Sequence, residues 1–236
     1  MLSELKEVLA HCSESCTSKD YSDAIVKRNI LGKKTASTRR RTAHLLAKLY
    51  ALDPNVTIFR LLRKLWTDDD STQSMLALLC ASARDPLLRL TAEPVLEADE
   101  GDVVEKQTIL SYVANATDDH FQESTLKAIT QRTLSSWAQA GHLQGRTKKV
   151  RTSPTVTPSA TCYALLLAHL CGRRGQFLFE SFWCRLLDER EDAIYESARE
   201  ASKMGLMVFK HIGSVVEVSF PELLTSEEED LVRGQD

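Results

Sequence analysis

The stretch "STLKAITQRTLSSWAQAGHLQGRTKKVRTSP", residues 124–154, carries two different periods of hydrophobicity in one short span. In its first half Leu126, Ile129, Thr130, Thr133, Leu134 and Trp137 fall at i, i+3, i+4, i+7, i+8 and i+11. An α-helix turns once every ~3.6 residues, so these positions share one face of a helix and of nothing else. Gly141 follows, where a helix end accepts a left-handed residue. The second half changes to a short apolar–polar alternation, a glycine-containing turn, and cations mixed with β-favouring residues. That pattern predicts a small β-hairpin with Arg146, Lys148, Lys149 and Arg151 near its tip. A helix followed by a basic hairpin is the outline of a winged helix, in which the helix enters a nucleic-acid groove and the hairpin touches phosphates. Any α–β–β connection that happens to be basic has the same outline.

Working outward, the pattern recurs near the C-terminus. Asp188 is placed to cap a helix whose inner face is Ile194, Ser197, Ala198, Ala201 and Met204, and Gly205 closes it. "LMVFKHIGSVVEVSFP" then predicts two strands around an Ile212-Gly213 turn, ended by Pro221. This second hairpin has only Lys210 and His211 as basic residues, so it is expected to pack internally or against a partner. Between the two units, residues 159–187 read as helical. Their aromatic group Phe177, Phe179, Phe182 and Trp183 reads as core.

The N-terminal quarter has a third arrangement. Residues 2–12 form a short amphipathic helix, with Leu2, Leu5, Val8 and Leu9 on one side. A helix capped at Asp20 or Ser22 runs to about Ile30, Gly32 turns the chain, and a helix capped at Thr35 or Ser37 runs up to Pro54. That is a helix-turn-helix outline. Its second helix lies in "KKTASTRRRTAHLLAKLYAL", residues 33–52, with three lysines, three arginines and no acid. Ala43, Leu46, Leu49 and Tyr50 would face a core. Arg40, His44 and Lys48 stand at i, i+4 and i+8 on another face, and Arg41 joins them. Cations at a helix N-terminus oppose the macrodipole by about 0.3–1 kcal/mol each. A phosphate at that place would reverse the sign, because free N–H groups and arginines would hold it together. The alternative is a solvated face. The following helix, residues 56–66, has Ile58, Leu61, Leu62 and Leu65 on its apolar side, with Arg60, Arg63 and Lys64 outside. A helix capped at Asp70 or Ser71 comes next, restarting at Asp85-Pro86, and another spans residues 102–116.

The 236 residues have a formal net charge of −3 that hides a strong segregation. Residues 27–64 hold eleven Lys/Arg and one acid, Asp53. Residues 65–126 hold thirteen acids and three Lys/Arg, and residues 127–151 hold six Lys/Arg and no acid. Separate faces with separate partners follow from such a pattern. Glycine and proline are scarce, at 9 and 6 residues, which favours helices over a large sheet. No apolar run reaches a membrane span of ~20 residues, and "MLSELKEVLAHCSESC" does not read as a signal peptide, so the protein is expected in the cytoplasm. The six cysteines include no C-x-x-C pair. His11, Cys12 and Cys16 lie close together but lack a second ligand pair at zinc spacing, so free thiols are expected. The six histidines are scattered singly, and no phosphate-binding loop, nucleophile elbow or metalloprotease motif occurs. No catalytic residue, metal or cofactor is therefore expected, and the protein reads as non-enzymatic.

Three stretches carry a family resemblance: "TASTRRRTAHLLAKLYALDPNVTIFRLLRKLW", "ALLCASARDPLLRLT" and "TLSSWAQAGHL". They resemble BrxA, an accessory protein of the bacterial BREX phage-defence systems, over roughly residues 20–220. The resemblance implies a mostly helical, cytoplasmic protein that binds double-stranded DNA beside larger BREX components. The family has also been likened to an RNA-binding antitermination factor, which keeps RNA as a second ligand. Arg39, Arg40 and Arg41 match its arginine-rich helix, and it supplies no catalytic residues to carry over.

The expected fold is mainly α, with helix-turn-helix or winged-helix-like units joined by a helical middle and two small β-hairpins. The segments are a basic helix-turn-helix unit at 1–66, an acidic helical middle at 67–120, a helix with a basic hairpin at 121–158, and C-terminal helices, hairpin and acidic tail at 159–236. The expected nucleic-acid contacts are Lys33, Lys34, Arg39, Arg40, Arg41, His44, Lys48, Arg146, Lys148, Lys149 and Arg151. They would touch phosphate more than bases, because Lys and Arg dominate over Asn and Gln. An assembly adaptor that binds other defence components is the competing reading.

Overall fold

The computed structural model describes residues 1–213 and 215–233. Residue 214, beside the expected Ile212-Gly213 turn, and residues 234–236, the end of the expected C-terminal segment, lie outside the described residues. The chain is mainly helical, with two antiparallel two-stranded hairpins. It divides into two compact units, Met1–Lys64 with Cys80–Thr152, and Leu65–Leu79 with Ser153–Asp236.

The first unit opens with α1 (Leu2–His11), which buries Leu5, Val8 and Leu9 as its period predicts. α2 (Ser18–Val26) starts earlier than expected. Its cap is Thr17 rather than Asp20 or Ser22, because Asp20 serves as the third residue of a capping box. The Thr17 hydroxyl accepts from the Asp20 amide while the Asp20 carboxylate accepts from the Thr17 amide at 2.9 Å. Gly32, at φ +60°, turns the chain into α3 (Ala36–Tyr50), and Thr35 caps it by accepting from the Thr38 amide at 3.1 Å. Thr42, Leu46 and Tyr50 are the buried positions of α3. Ala43 and Leu49, expected in the core, are only half-buried.

α4 (Thr57–Leu65) buries Phe59, Leu61, Leu62 and Leu65. One expectation fails here, since Arg63 is not an outward cation. Its guanidinium donates to the Leu9 carbonyl at 2.6 Å and to the Cys12 carbonyl. It thus satisfies carbonyls that the end of α1 leaves without intrahelical donors. Arg84, the last residue of α5 (Asp70–Arg84), does the same for the Lys48 carbonyl of α3, donating to it at 2.9 Å, and adds a 3.3 Å hydrogen bond to the Ala47 carbonyl, which already accepts from the Ala51 amide.

Asp85 then caps α6 (Pro86–Leu90) with Pro86 in its first turn, the restart that Asp-Pro predicts. α7 (Ala92–Leu96) and α8 (Lys106–Ala116) follow. α9 (Glu123–Gln139) buries all six residues of the predicted face. Trp137 is fully buried. Its indole N–H donates to the Thr91 hydroxyl at 2.9 Å, and its ring meets His142 edge-on at 4.9 Å. β1 (Leu143–Gln144) and β2 (Val150–Arg151) make the first hairpin. Residues 101–104 lie along it: the Gly101 amide donates to the Arg151 carbonyl at 3.0 Å and the Val104 amide to the Lys149 carbonyl at 2.9 Å.

In the second unit, α10 (Pro158–Leu170) is buried from Ser159 to His169 on every side, as a central helix must be. Its Thr161 hydroxyl shares a 2.8 Å hydrogen bond with Ser197 of α12 (Glu191–Lys203). A 3-10 turn (Gly175–Leu178) and α11 (Phe182–Arg185) precede α12. Arg190 occupies the N-cap position of α12; Asp188, the expected cap, sits two residues earlier at φ +57°. Met204, expected on the inner face, is 60% exposed, because the helix closes one residue before it. Phe179 and Trp183 are core as expected, but Phe177 is 60% exposed. β3 (Val208–Ile212) and β4 (Val215–Ser219) pair over five residues, and α13 (Ser226–Arg233) holds the acidic run.

Candidate nucleic-acid interface

α3 presents the densest charge. No acid occupies its first turn, and Arg40, Arg41, His44 and Lys48 are all exposed. Among the described residues no carboxylate pairs with any of these four. The four side chains therefore form an un-neutralised stripe along one helix, running from its N-terminal turn. Arg40 and His44 also border a cleft of about 360 Å³ between α2 and α3, floored by Tyr21, Ile25 and Ala47. At the other end of the stripe Lys48 lines a second groove, of about 280 Å³, together with Arg132 of α9. A cation of α3 and one of α9 thus line the same groove. Arg132 is not among the expected contacts, because a single arginine between Gln131 and Thr133 gives no local signal.

The remaining cations at the start of α3 are not equivalent. Lys34 is exposed. Arg39 is half-buried, with its Nε enclosed and unpartnered, so it faces away from the solvated stripe of Arg40 and Arg41. Lys33 is held: its ammonium pairs with Glu4 of α1 at 3.1 Å, and its amide donates to the Asn29 side chain at 2.9 Å. Burial raises the Glu4 carboxyl, but hydrogen bonds from Lys33 and the backbone, with the nearby terminal ammonium, outweigh it and bring it down to about 2. Lys33 therefore fastens α1 to the entrance of α3 instead of pointing at a ligand.

The first hairpin divides its cations in the same way. Arg146 and Lys148 stand exposed in the turn. The Lys149 ammonium bends back to the Gly145 carbonyl at 2.6 Å. Arg151 contradicts its expected place near the tip. It is only 4% exposed and lies at the base of the ladder, paired in register with Leu143. Its guanidinium donates to the carbonyls of His142, at 3.3 Å, and Thr152. It closes the hairpin onto the end of α9 and has no face left for a phosphate. Alternation gave no warning, since Lys149 stands two residues before Arg151 and would share its strand face.

The model of the BrxA family matches residues 1–100. The match covers 100 of the 236 residues and makes this part of the chain similar to the BrxA family, which is associated with BREX phage defence. The match begins at residue 1 and so takes in the first twenty residues, which the sequence resemblance left unmatched. It includes Lys33 to Lys48 and stops before the basic hairpin at Arg146 to Arg151. No curated protein and no solved structure matches the chain. Among the described residues no helix is long and apolar enough to cross a membrane, and no group of three or more His, Cys, Asp or Glu is placed to hold a metal.

Proposed function

We propose that this chain is a non-enzymatic, cytoplasmic accessory protein of a BREX system that binds double-stranded DNA through phosphate contacts. The observation that carries the reading is the stripe of Arg40, Arg41, His44 and Lys48, exposed and unpaired on α3 with no acid in its first turn. A phosphate beside that turn gains both the free backbone N–H groups and the guanidinium fork. Lys34, Arg132, Arg146 and Lys148 extend the contact set. Lys33, Arg39 and Arg151 leave it, because each is held or turned inward by the protein.

The test is a titration of duplex DNA over a salt series. Six to eight phosphate contacts lower the affinity by about 10³-fold or more between 50 and 200 mM salt. Replacing Arg40, Arg41 and Lys48 by alanine should weaken binding and reduce the slope of log K against log salt by about 0.9 for each phosphate no longer neutralised. Binding without salt dependence would refute the proposal. Competition with structured RNA separates the RNA reading, which predicts that RNA displaces DNA. An adaptor role is favoured by one feature, the exposed apolar tip of the second hairpin, where Ile212 and Val215 are 78% and 68% exposed. Capture of a larger BREX component that is abolished in I212D, with no affinity for DNA, would make the adaptor reading primary.

A further inference from the structure

The groove that Lys48 and Arg132 share is built unlike the cationic stripe it touches. Its walls are aliphatic: Leu45 and Leu49 of α3, Leu87 and Leu88 of α6, and Ile129 of α9. Leu49 follows the core period of α3 and yet is only half-buried, and Leu45 and Leu87 are half-buried with it. The three helices therefore leave apolar surface partly in water, where covering it is favourable. Among the described residues no aromatic ring lines the groove.

The polar groups of the lining divide into those already engaged and those that are not. The Gln139 side chain accepts from the Leu2 amide at 3.2 Å and donates to the Ser135 hydroxyl at 3.0 Å. The hydroxyls of Thr133 and Ser136 donate to the carbonyls of Thr130 and Arg132. The Asp85 carboxylate accepts from the Leu87 amide at 3.1 Å as the cap of α6. Two groups are left. Lys48 and Arg132 are both exposed, and among the described residues neither is paired with a carboxylate, Asp85 included. Arg132 gives its Nε to the Ala128 carbonyl at 3.2 Å, which leaves the end of its guanidinium fork open. An aliphatic trough with two un-neutralised cations at its edge is complementary to an aliphatic chain that ends in an anion. A DNA phosphate carries no such chain. The volume of about 280 Å³ equals that of on the order of nine waters at ~30 Å³ each, which sets the size of the occupant.

We propose that the groove between α3, α6 and α9 binds a linear medium-chain carboxylate of about eight to ten carbons. Its chain lies against Leu45, Leu49, Leu87 and Ile129, and its carboxylate meets Lys48 and Arg132. Arg132 offers the planar fork that a carboxylate accepts, and Lys48 adds a point charge. An occupant would take up two cations of the proposed DNA contact set. The site itself does not depend on nucleic-acid binding, and its test uses none.

Calorimetric titration of the full chain with hexanoate, octanoate and decanoate, each kept free of micelles, reads the aliphatic wall. Affinity is expected to rise about 4-fold for each added methylene, the increment for taking one out of water. Decanol should bind more weakly than decanoate by about 10-fold or more, the contribution of a charged hydrogen bond, and decyltrimethylammonium should not bind. K48E/R132E changes two exposed positions and should exchange the preference, losing decanoate and gaining decyltrimethylammonium. No saturable binding of decanoate, no gain with chain length, equal affinity for decanoate and decanol, or a K48E/R132E protein that still prefers decanoate overturns the proposal. Sedimentation with phosphatidylglycerol vesicles, without affinity for free decanoate, assigns the groove to a lipid surface and overturns it as well. Where K48E/R132E fails to fold, the chain-length series and the decanol comparison on the wild-type protein still decide.

Discussion

The two helix–hairpin segments share an outline and differ in almost everything that matters for a partner. α9 leads into a ladder of two residue pairs, and α12 leads into one of five. The short ladder is held from outside: residues 101–104 run along it, and the Arg151 guanidinium ties its base to the end of α9. The long ladder depends more on its own pairs, and its Lys210 is neutralised by Glu217 at 3.1 Å. At its foot Phe179 stacks on Tyr195 at 4.2 Å, with Phe209 beside them. The tips differ in kind. The first carries Arg146 and Lys148, while the second exposes Ile212 and Val215. One outline thus offers a cationic surface in one case and an apolar one in the other. Topology gives no licence to assign the same ligand to both.

The largest expected effect tests what holds the first segment. Trp137→Ala removes a fully buried ring and the donor to Thr91, and should lower unfolding free energy by about 3–5 kcal/mol in a urea titration. A reduction under about 1 kcal/mol would mean that α9 does not anchor its hairpin. Next come the two turn glycines. A Cβ on Gly145, at φ +95°, would lie 2.2 Å from the Lys148 carbonyl oxygen, whereas a Cβ on Gly213, at φ +61°, meets nothing within 4 Å. Gly213→Ala should cost about 1–2 kcal/mol for left-handed backbone alone, and Gly145→Ala distinctly more. Equal costs would erase the distinction between a crowded turn and an open one.

Arg151→Met should cost about 1–3 kcal/mol, because the His142 and Thr152 carbonyls are deprived of a charged donor. It should leave the salt slope of DNA binding unchanged. A reduced slope would return Arg151 to the contact set. The smallest effect on stability, within about 0.5 kcal/mol, is expected for Arg146→Ala with Lys148→Ala, since both side chains are exposed. That pair should nevertheless lower DNA affinity and reduce the slope by about 0.9 for each phosphate set free. Lys210→Ala, which removes a cation already paired with Glu217, should change neither. Equal reductions in affinity at both hairpins would collapse the comparison.

Much of the fold was legible in the sequence where one local rule acted alone. The six-residue face of α9, the restart at Asp85-Pro86 and the Thr35 cap all follow from periodicity or hydrogen-bonding chemistry within a few residues. Legibility failed where two local rules competed. Thr17 displaced Asp20 as a cap because the capping box uses both, and Asp188 does not cap because the chain turns left-handed there, two residues before α12. The candidate site was legible as a set of cations but not as a set of roles. Lys33, Arg63, Arg84 and Arg151 are cations like Arg40 and Lys148, and nothing local separates them.

The sequence by itself determined most of the helices, where two hairpins form, and that positive charge collects in residues 27–64 and 127–151, while the acidic tail, read only as charge, is helix α13. These are short-range consequences of side-chain spacing, turn residues and caps. Only the tertiary structure decided which cations remain available. Carbonyls at the ends of α1 and α3 must find donors, and the arginines that reach them come from residues 36 to 54 positions away in the chain. Glu4 claims Lys33 across 29 residues in the same way. A buried polar group takes the nearest partner in space, so the division between structural and solvent-facing cations had to wait for the fold.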